Sequence, residues 1–96
     1  MRDTFVVSYD VSDAKRLRKV FKAMRGYGDP LQFSVFRCEL NERELVELRD
    51  RLRKIIHHTE DQVLFVDVGP ADGRASKAFS TMGRPKADPE RTAIVV

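Results

Sequence analysis

The stretch Val6–Asp13, VVSYDVSD, places two carboxylates three residues apart, directly after a run of β-branched and aromatic residues. Aspartate is a poor strand residue, so a strand that ends on Asp10 raises the question of what that carboxylate does. Three uses fit it: an Asx-type turn, a helix cap, or a ligand for a hard cation. Ser12 suits an N-cap and Asp13 suits the positive first turn of a helix beginning there. Asp10 is then partly redundant as a cap, which raises the metal reading beside the ordinary turn or cap. Magnesium takes carboxylate oxygens and keeps several waters, and a bound cation can generate hydroxide and stabilise charge on a phosphate. One aspartate is a thin magnesium site. A two-fold axis would present Asp10 twice.

The second set of candidates is cationic. Arg16, Arg18, Lys19, Lys22 and Arg25 follow Asp13 with no acid among them. Such an unbalanced face suits phosphate contact, and equally a solvated helix. The later segment differs, because Glu42, Glu44, Glu47 and Asp50 alternate with Arg43, Arg49, Arg51, Arg53 and Lys54; that is a mixed, solvated pattern. Tyr9 suits either stacking on a base or an ordinary strand aromatic. His57 and His58 are adjacent and lack the i, i+4 spacing of a zinc pair. Cys38 has no Cys-x-x-Cys partner, and Asp67 sits among apolar neighbours with no assigned role. Phosphate-binding glycine loops, serine-hydrolase elbows and His-Glu-x-x-His motifs are absent from the sequence.

These residues need elements to position them. Thr4–Tyr9 reads as a strand. Leu17, Val20, Phe21 and Met24 fall at i, i+3, i+4, i+7 and form the apolar stripe of a first helix. Gly26 or Gly28 ends it, and Gly28-Asp29-Pro30 reads as a turn. Leu31–Glu39 reads as a single strand, with Leu31, Phe33 and Val35 on one side and Gln32, Ser34, Phe36 and Cys38 on the other. Asn41 and Glu44 have capping-box spacing, and Leu45, Leu48, Leu52 and Ile55 trace a second helical stripe. Gln62–Val68 is a further strand, closed by Gly69-Pro70. Ala78–Met82 is a candidate short strand. Gly83–Arg91, with two prolines and five charges, reads as an arm leading to the strand-like Thr92–Val96.

The order predicts an α+β fold, a ferredoxin-like β-α-β-β-α-β sandwich with an extra C-terminal strand. Residues 1–82 form the domain and residues 83–96 an arm and strand that packs on a partner protomer. Both helices cover one sheet face, yet the strands carry large apolar residues on both sides. A bare apolar face calls for a partner, so the expectation is a homodimer packed through its sheets, with Thr92–Val96 extending the partner's sheet edge.

Totals bound the reading further. The chain has 96 residues, which is one domain with a modest core of its own. A hydrophobic share of 42% supports a folded protein, and a net charge of +3 permits phosphate contact without requiring it. The lone Cys38 cannot form an internal disulfide, so a reducing compartment fits. No apolar run approaches the length of a membrane span, and the start of the chain is too interrupted for a signal peptide. The expected location is cytoplasmic.

Taken together, VVSYDVSD, the basic helix and GYGDPLQFSVFRCEL resemble the CRISPR-associated Cas-two family of the spacer-acquisition machinery. Tyr9-Asp10 and the QFSVF run, Gln32–Phe36, carry that resemblance. The Glu/Arg-rich second helix, VLFVDVGP and the apolar terminal strand agree with it along nearly the whole chain. The resemblance implies a ferredoxin-like homodimer and a metal-dependent phosphodiesterase acting on RNA or DNA. It implies that Asp10 binds Mg2+, or another divalent cation, between protomers. It also implies a bridging role between dimers of the partner integrase, Cas one, and a grip on protospacer DNA. Arg16, Arg18 and Phe36 fall in regions that resemble the family's functional regions. Pro30 stands where many members carry a basic residue.

Two functions are thus expected, and they are compatible. One is a magnesium-dependent endonuclease that uses Asp10, with Tyr9, Arg16, Arg18, Lys19, Lys22 and Arg25 on the nucleic acid. The other is a DNA-binding adaptor without catalysis in the cell, since no clear general acid or base stands beside Asp10. An RNA-recognition module fits poorly, because QFSVFRCEL lacks the leading basic-Gly pattern.

Overall fold

The alternation in Asp3–Asp10 (β1) sends Phe5, Val7 and Tyr9 to a buried side and leaves Asp10 exposed. A computed structural model describes residues 1–84. The arm beyond it and the expected strand Thr92–Val96 lie outside the described residues. After β1 come Ala14–Arg25 (α1), Gly28–Gln32 (β2), Val35–Leu40 (β3), Glu42–Ile55 (α2) and Gln62–Pro70 (β4), followed by a 3-10 turn at Arg74–Lys77. The sheet order is β2-β3-β1-β4, and every neighbouring pair is antiparallel. The β-α-β-β-α-β order and the ferredoxin-like sandwich are therefore present.

The core lies between the helices and one sheet face. Val20, Ala23 and Met24 of α1 and Leu48 and Leu52 of α2 bury against Phe5, Val7, Tyr9, Phe36, Cys38 and Leu40. Both apolar stripes read from the sequence supply these contacts. The capping box at α2 also forms: Asn41 Oδ1 accepts from the Glu44 amide at 2.8 Å, and Glu44 Oε1 accepts from the Asn41 amide at 2.9 Å. Arg2 then grips the same Glu44 carboxylate at 2.6 and 3.0 Å, tying the chain start to α2.

The structure corrects four local expectations. Leu31–Glu39 is not one strand. It divides at Phe33-Ser34, where Ser34 adopts a φ of 63° and Gln32 pairs with Val35 across the turn. The second β-element of the predicted order is thus β2, of which Gly28–Pro30 reads as a turn and Leu31–Gln32 as the start of the next strand in sequence alone. A proline is compatible with β2 because β2 is an edge strand. Gly28 lies so close to β3 that a Cβ there would sit 2.3 Å from the Arg37 carbonyl oxygen. Its lack of a side chain, not a turn, is what that position requires.

The helix caps differ as well. Asp13, not Ser12, is the N-cap of α1, accepting from the Arg16 amide at 3.0 Å. Ser12 is drawn away to Asp61. α1 ends at Gly26, the first of the two glycines expected. Finally, Ala78–Met82 forms no strand. The chain instead folds back after β4: the Ala71 amide donates to the Arg2 carbonyl at 2.9 Å, Ala75 is buried, and Phe79 lies 4.9 Å beneath the Arg37 guanidinium.

Candidate functional site around Asp10

Register places Asp10 on the helix-free face. In antiparallel pairs, directly opposed residues share a face. Val6 opposes Arg37 and Val66, Ser8 opposes Val35 and Leu64, and Asp10 opposes Gln62. Leu64 is 55% exposed and Val66 44% exposed, so an apolar patch runs along this face and Asp10 stands at its end. The Asp10 carboxylate has no hydrogen-bond or ion-pair partner among the described residues, which leaves its oxygens open to a ligand. The β2–β3 turn reaches the same end of the sheet, where the Tyr9 amide donates to the Ser34 carbonyl at 3.1 Å and Phe33 is 61% exposed.

Tyr9 and Phe36 are elsewhere. Both are buried in the core. Their ring centroids are 6.2 Å apart, and Phe36 also meets Phe21 edge-on at 5.6 Å. Of the two uses open to Tyr9, its burial fits the strand aromatic and not a stacking platform. Burial also pushes its phenol up to about 12, against a hydrogen bond with Ser34 that pulls the other way. The hydroxyl is therefore protonated at neutral pH and is no general base.

The six cations of α1, the five candidates and Lys15, divide into three groups. Arg18, Lys19 and Lys22 are exposed, have no ion-pair partner among the described residues, and with Lys15 form the i, i+3, i+4, i+7 stripe opposite the apolar one. Arg25 folds over Phe21 at 5.8 Å. Arg16 is committed inside the molecule. Its Nε donates to Asp61 Oδ2 at 2.7 Å, and its Nη2 donates to Asp61 Oδ1 and Glu60 Oε1, both at 3.2 Å. The structure thus brings Asp10 and the start of α1 to one end of the molecule but does not present Arg16 with the exposed stripe.

Asp61 escaped the sequence reading. Its side chain is 0% exposed, and the Arg16 guanidinium, with the His57 and Ser12 amides, holds its carboxyl well below the ordinary value of 3.8. The only sequence signal was an aspartate just before the β4 run. Its partners lie 45 and 49 residues away. Asp67, unassigned from sequence, accepts from the Gly69 amide at 2.9 Å, at the register shift between Thr4 and Phe5 in the β1–β4 pairing.

The fit to a cation follows from the donors present. No group of three or more His, Cys, Asp or Glu side chains among the described residues is arranged to hold a metal. One protomer therefore offers Asp10 alone. A magnesium ion, which uses one or two carboxylates and several waters, fits an exposed carboxylate of this kind, and fits it best if a second copy faces it. The helices offer no membrane span among the described residues.

Comparison with known proteins fixes the family. The family described as CRISPR associated protein Cas2 matches residues 3–74. The "CRISPR-associated endoribonuclease Cas2" of Geobacter sulfurreducens is 36% identical over 96 residues, covering 100% of both chains. The "CRISPR-associated endoribonuclease Cas2 1" of Rhodospirillum rubrum is 38% identical over 92 residues, 96% of this chain and 89% of that one. The crystal structure of Streptococcus pyogenes Cas2 at pH 6.5 superposes with a TM-score of 0.72 at 33% identity, over 83% of this chain and 99% of that one. A family match spanning all four strands, both helices and Asp10 leaves one conclusion: this chain belongs to the CRISPR-associated Cas2 family.

Proposed function

We propose that this protein is a divalent-cation-dependent endonuclease of CRISPR spacer acquisition, working as a homodimer in which two Asp10 carboxylates share the cation. The observation that carries the reading is the position of Asp10: exposed, free of internal partners among the described residues, and at the end of the exposed Leu64–Val66 patch. Two copies packed through that patch bury its apolar surface and bring their Asp10 residues toward the axis. A bound magnesium ion would supply a nucleophilic water and charge stabilisation at a phosphodiester. The chain's own contributions are simpler. Asp10 holds the cation, and Arg18, Lys19 and Lys22 attract the phosphate backbone. The Geobacter sulfurreducens and Rhodospirillum rubrum relatives are named endoribonucleases, which favours RNA as one substrate beside DNA. Asp10→Ala is expected to remove magnesium-stimulated cleavage while the dimer persists in sedimentation. Undiminished cleavage by the cleanly purified variant overturns the reading.

A second reading rests on a different observation. The exposed, unpaired stripe of α1 stands apart from Asp10's thin donor set, and no acid–base partner stands beside that aspartate among the described residues. On this reading the protein is a DNA-binding adaptor for the integrase Cas one. Charge reversal at Arg18 and Lys19 then impairs spacer integration, whereas Asp10→Ala leaves it intact.

A further inference from the structure

Asp61 connects two loops that meet only in three dimensions. Its Oδ1 accepts from the Ser12 amide at 3.1 Å, the Ser12 hydroxyl at 3.4 Å and Arg16 Nη2 at 3.2 Å. Its Oδ2 accepts from Arg16 Nε at 2.7 Å and the His57 amide at 2.8 Å. A carboxylate has about four lone-pair sites, so these contacts occupy it fully. The loop that delivers it is itself closed, because the Glu60 and Asp61 amides donate to the His57 carbonyl at 3.1 and 2.9 Å. A fixed, buried anion is thereby set against the β1–α1 turn, two residues past Asp10. Arg16 faces that anion from the flank of α1, away from the Lys15, Arg18, Lys19 and Lys22 stripe.

We infer that Asp61 is a positioning residue for the turn that presents Asp10, and that Arg16 acts through Asp61 and not through a phosphate. The functional half of this inference rests on Asp10 being the cation ligand proposed above. The physical half does not. Removing one member of a buried pair leaves the other uncompensated. Asp61→Asn also turns an amide donor toward groups that only donate, either Arg16 Nε and the His57 amide or the Ser12 amide. Either change unbalances the set of bonds that fixes Asp61, and so loosens its hold on the Ser12 amide and the turn.

Three measurements on the full chain decide the matter. In native-state hydrogen exchange, Asp61→Asn is expected to speed exchange of the Ser12 amide about tenfold or more, the scale of a lost hydrogen bond to a charged group. The Val7 and Leu48 amides in the core should keep their protection. Arg16→Gln should do the same, and serves alone if the Asn variant does not fold. In binding of a labelled duplex DNA without divalent cation, Lys19→Gln should lower the slope of log affinity against log salt by about one, and Arg16→Gln should leave it unchanged. In titration with Mn2+ alone, each single variant should bind about tenfold more weakly, the double variant no more weakly than either, and Asp10→Ala should lose saturable binding.

Unchanged Ser12 protection in both variants overturns the positioning role. A loss of salt slope in Arg16→Gln equal to that in Lys19→Gln overturns the assignment of Arg16. Single variants with parental Mn2+ affinity overturn the link to the cation. Parental Mn2+ binding by Asp10→Ala instead defeats the cation reading itself, and the exchange and salt results still judge the Asp61–Arg16 pair.

Discussion

Three aspartates of one residue type do three different things here, and environment alone separates them. Asp10 is exposed and open to a ligand. Asp13 accepts from the Arg16 amide, which holds its carboxyl below the ordinary range. Asp61 is buried and paired, and is held lower still. The division between Asp10 and its neighbours was legible, because capping chemistry was visible within a few residues. Ser12 and Asp13 are equally good caps locally, and what decides between them is Asp61, 49 residues from Ser12 and so without a local signal. A carboxylate held below its ordinary value of 3.8 contributes its full stabilisation above that value and loses it as pH falls further. Urea unfolding at pH 7 and pH 3 is therefore expected to show Asp61→Asn less stable than the parent at pH 7, with the gap narrowed at pH 3. An equal gap at both values refutes the electrostatic part of the role.

At the scale of elements, the helices were readable and the hairpin was not. Apolar stripes at helical spacing announce α1 and α2, and the Asn41–Glu44 box marks where α2 starts. The run LQFSVFRCE carries no glycine or asparagine to mark its turn, so its apolar alternation reads straight through Phe33-Ser34. Ser34 takes the positive φ instead, at 63°, a position where non-glycine residues are uncommon. The tertiary gain is the edge strand β2, which the close approach at Gly28 makes possible. A Cβ at Gly28 would meet backbone, the Arg37 carbonyl oxygen at 2.3 Å, together with Cys38 Sγ at 2.6 Å. Gly28→Ala is expected to cost about 1–3 kcal/mol in urea unfolding, the usual range for overpacking. A stability within a few tenths of the parent shows that β2 gives way freely.

For the whole molecule, the layer arrangement followed from two amphipathic helices and strands apolar on both sides. The same double-sided pattern argued for a covered second face. Its partial cover by the chain's own fold-back, with Phe79 against Arg37, has no sequence signal, since Ala71–Lys77 is small and polar and its buried residue, Ala75, has no periodic neighbours. What stays open is the Val6, Val35, Leu64 and Val66 region. Leu64→Lys with Val66→Lys is expected to shift the protein from dimer to monomer in sedimentation and to remove the concentration dependence of its melting temperature. Because both side chains are exposed in the protomer, the folded monomer should keep its circular dichroism. A persistent dimer places the interface elsewhere.

Pro30 gives this sheet a direction of growth. A strand carrying proline cannot serve as an interior strand without losing a ladder bond, so the β2 margin is the poorer place for a new neighbour. Within β4, the run from Gln62 to Gly69 contains no proline, and no strand among the described residues pairs with its outer margin. A sheet that adds strands on one side only has a valence of one. Two such chains can complete each other and stop, whereas propagation into a fibre needs two receptive margins. A single proline, placed in a segment that reads as a turn from sequence alone, thus biases edge-to-edge growth of the sheet toward one side.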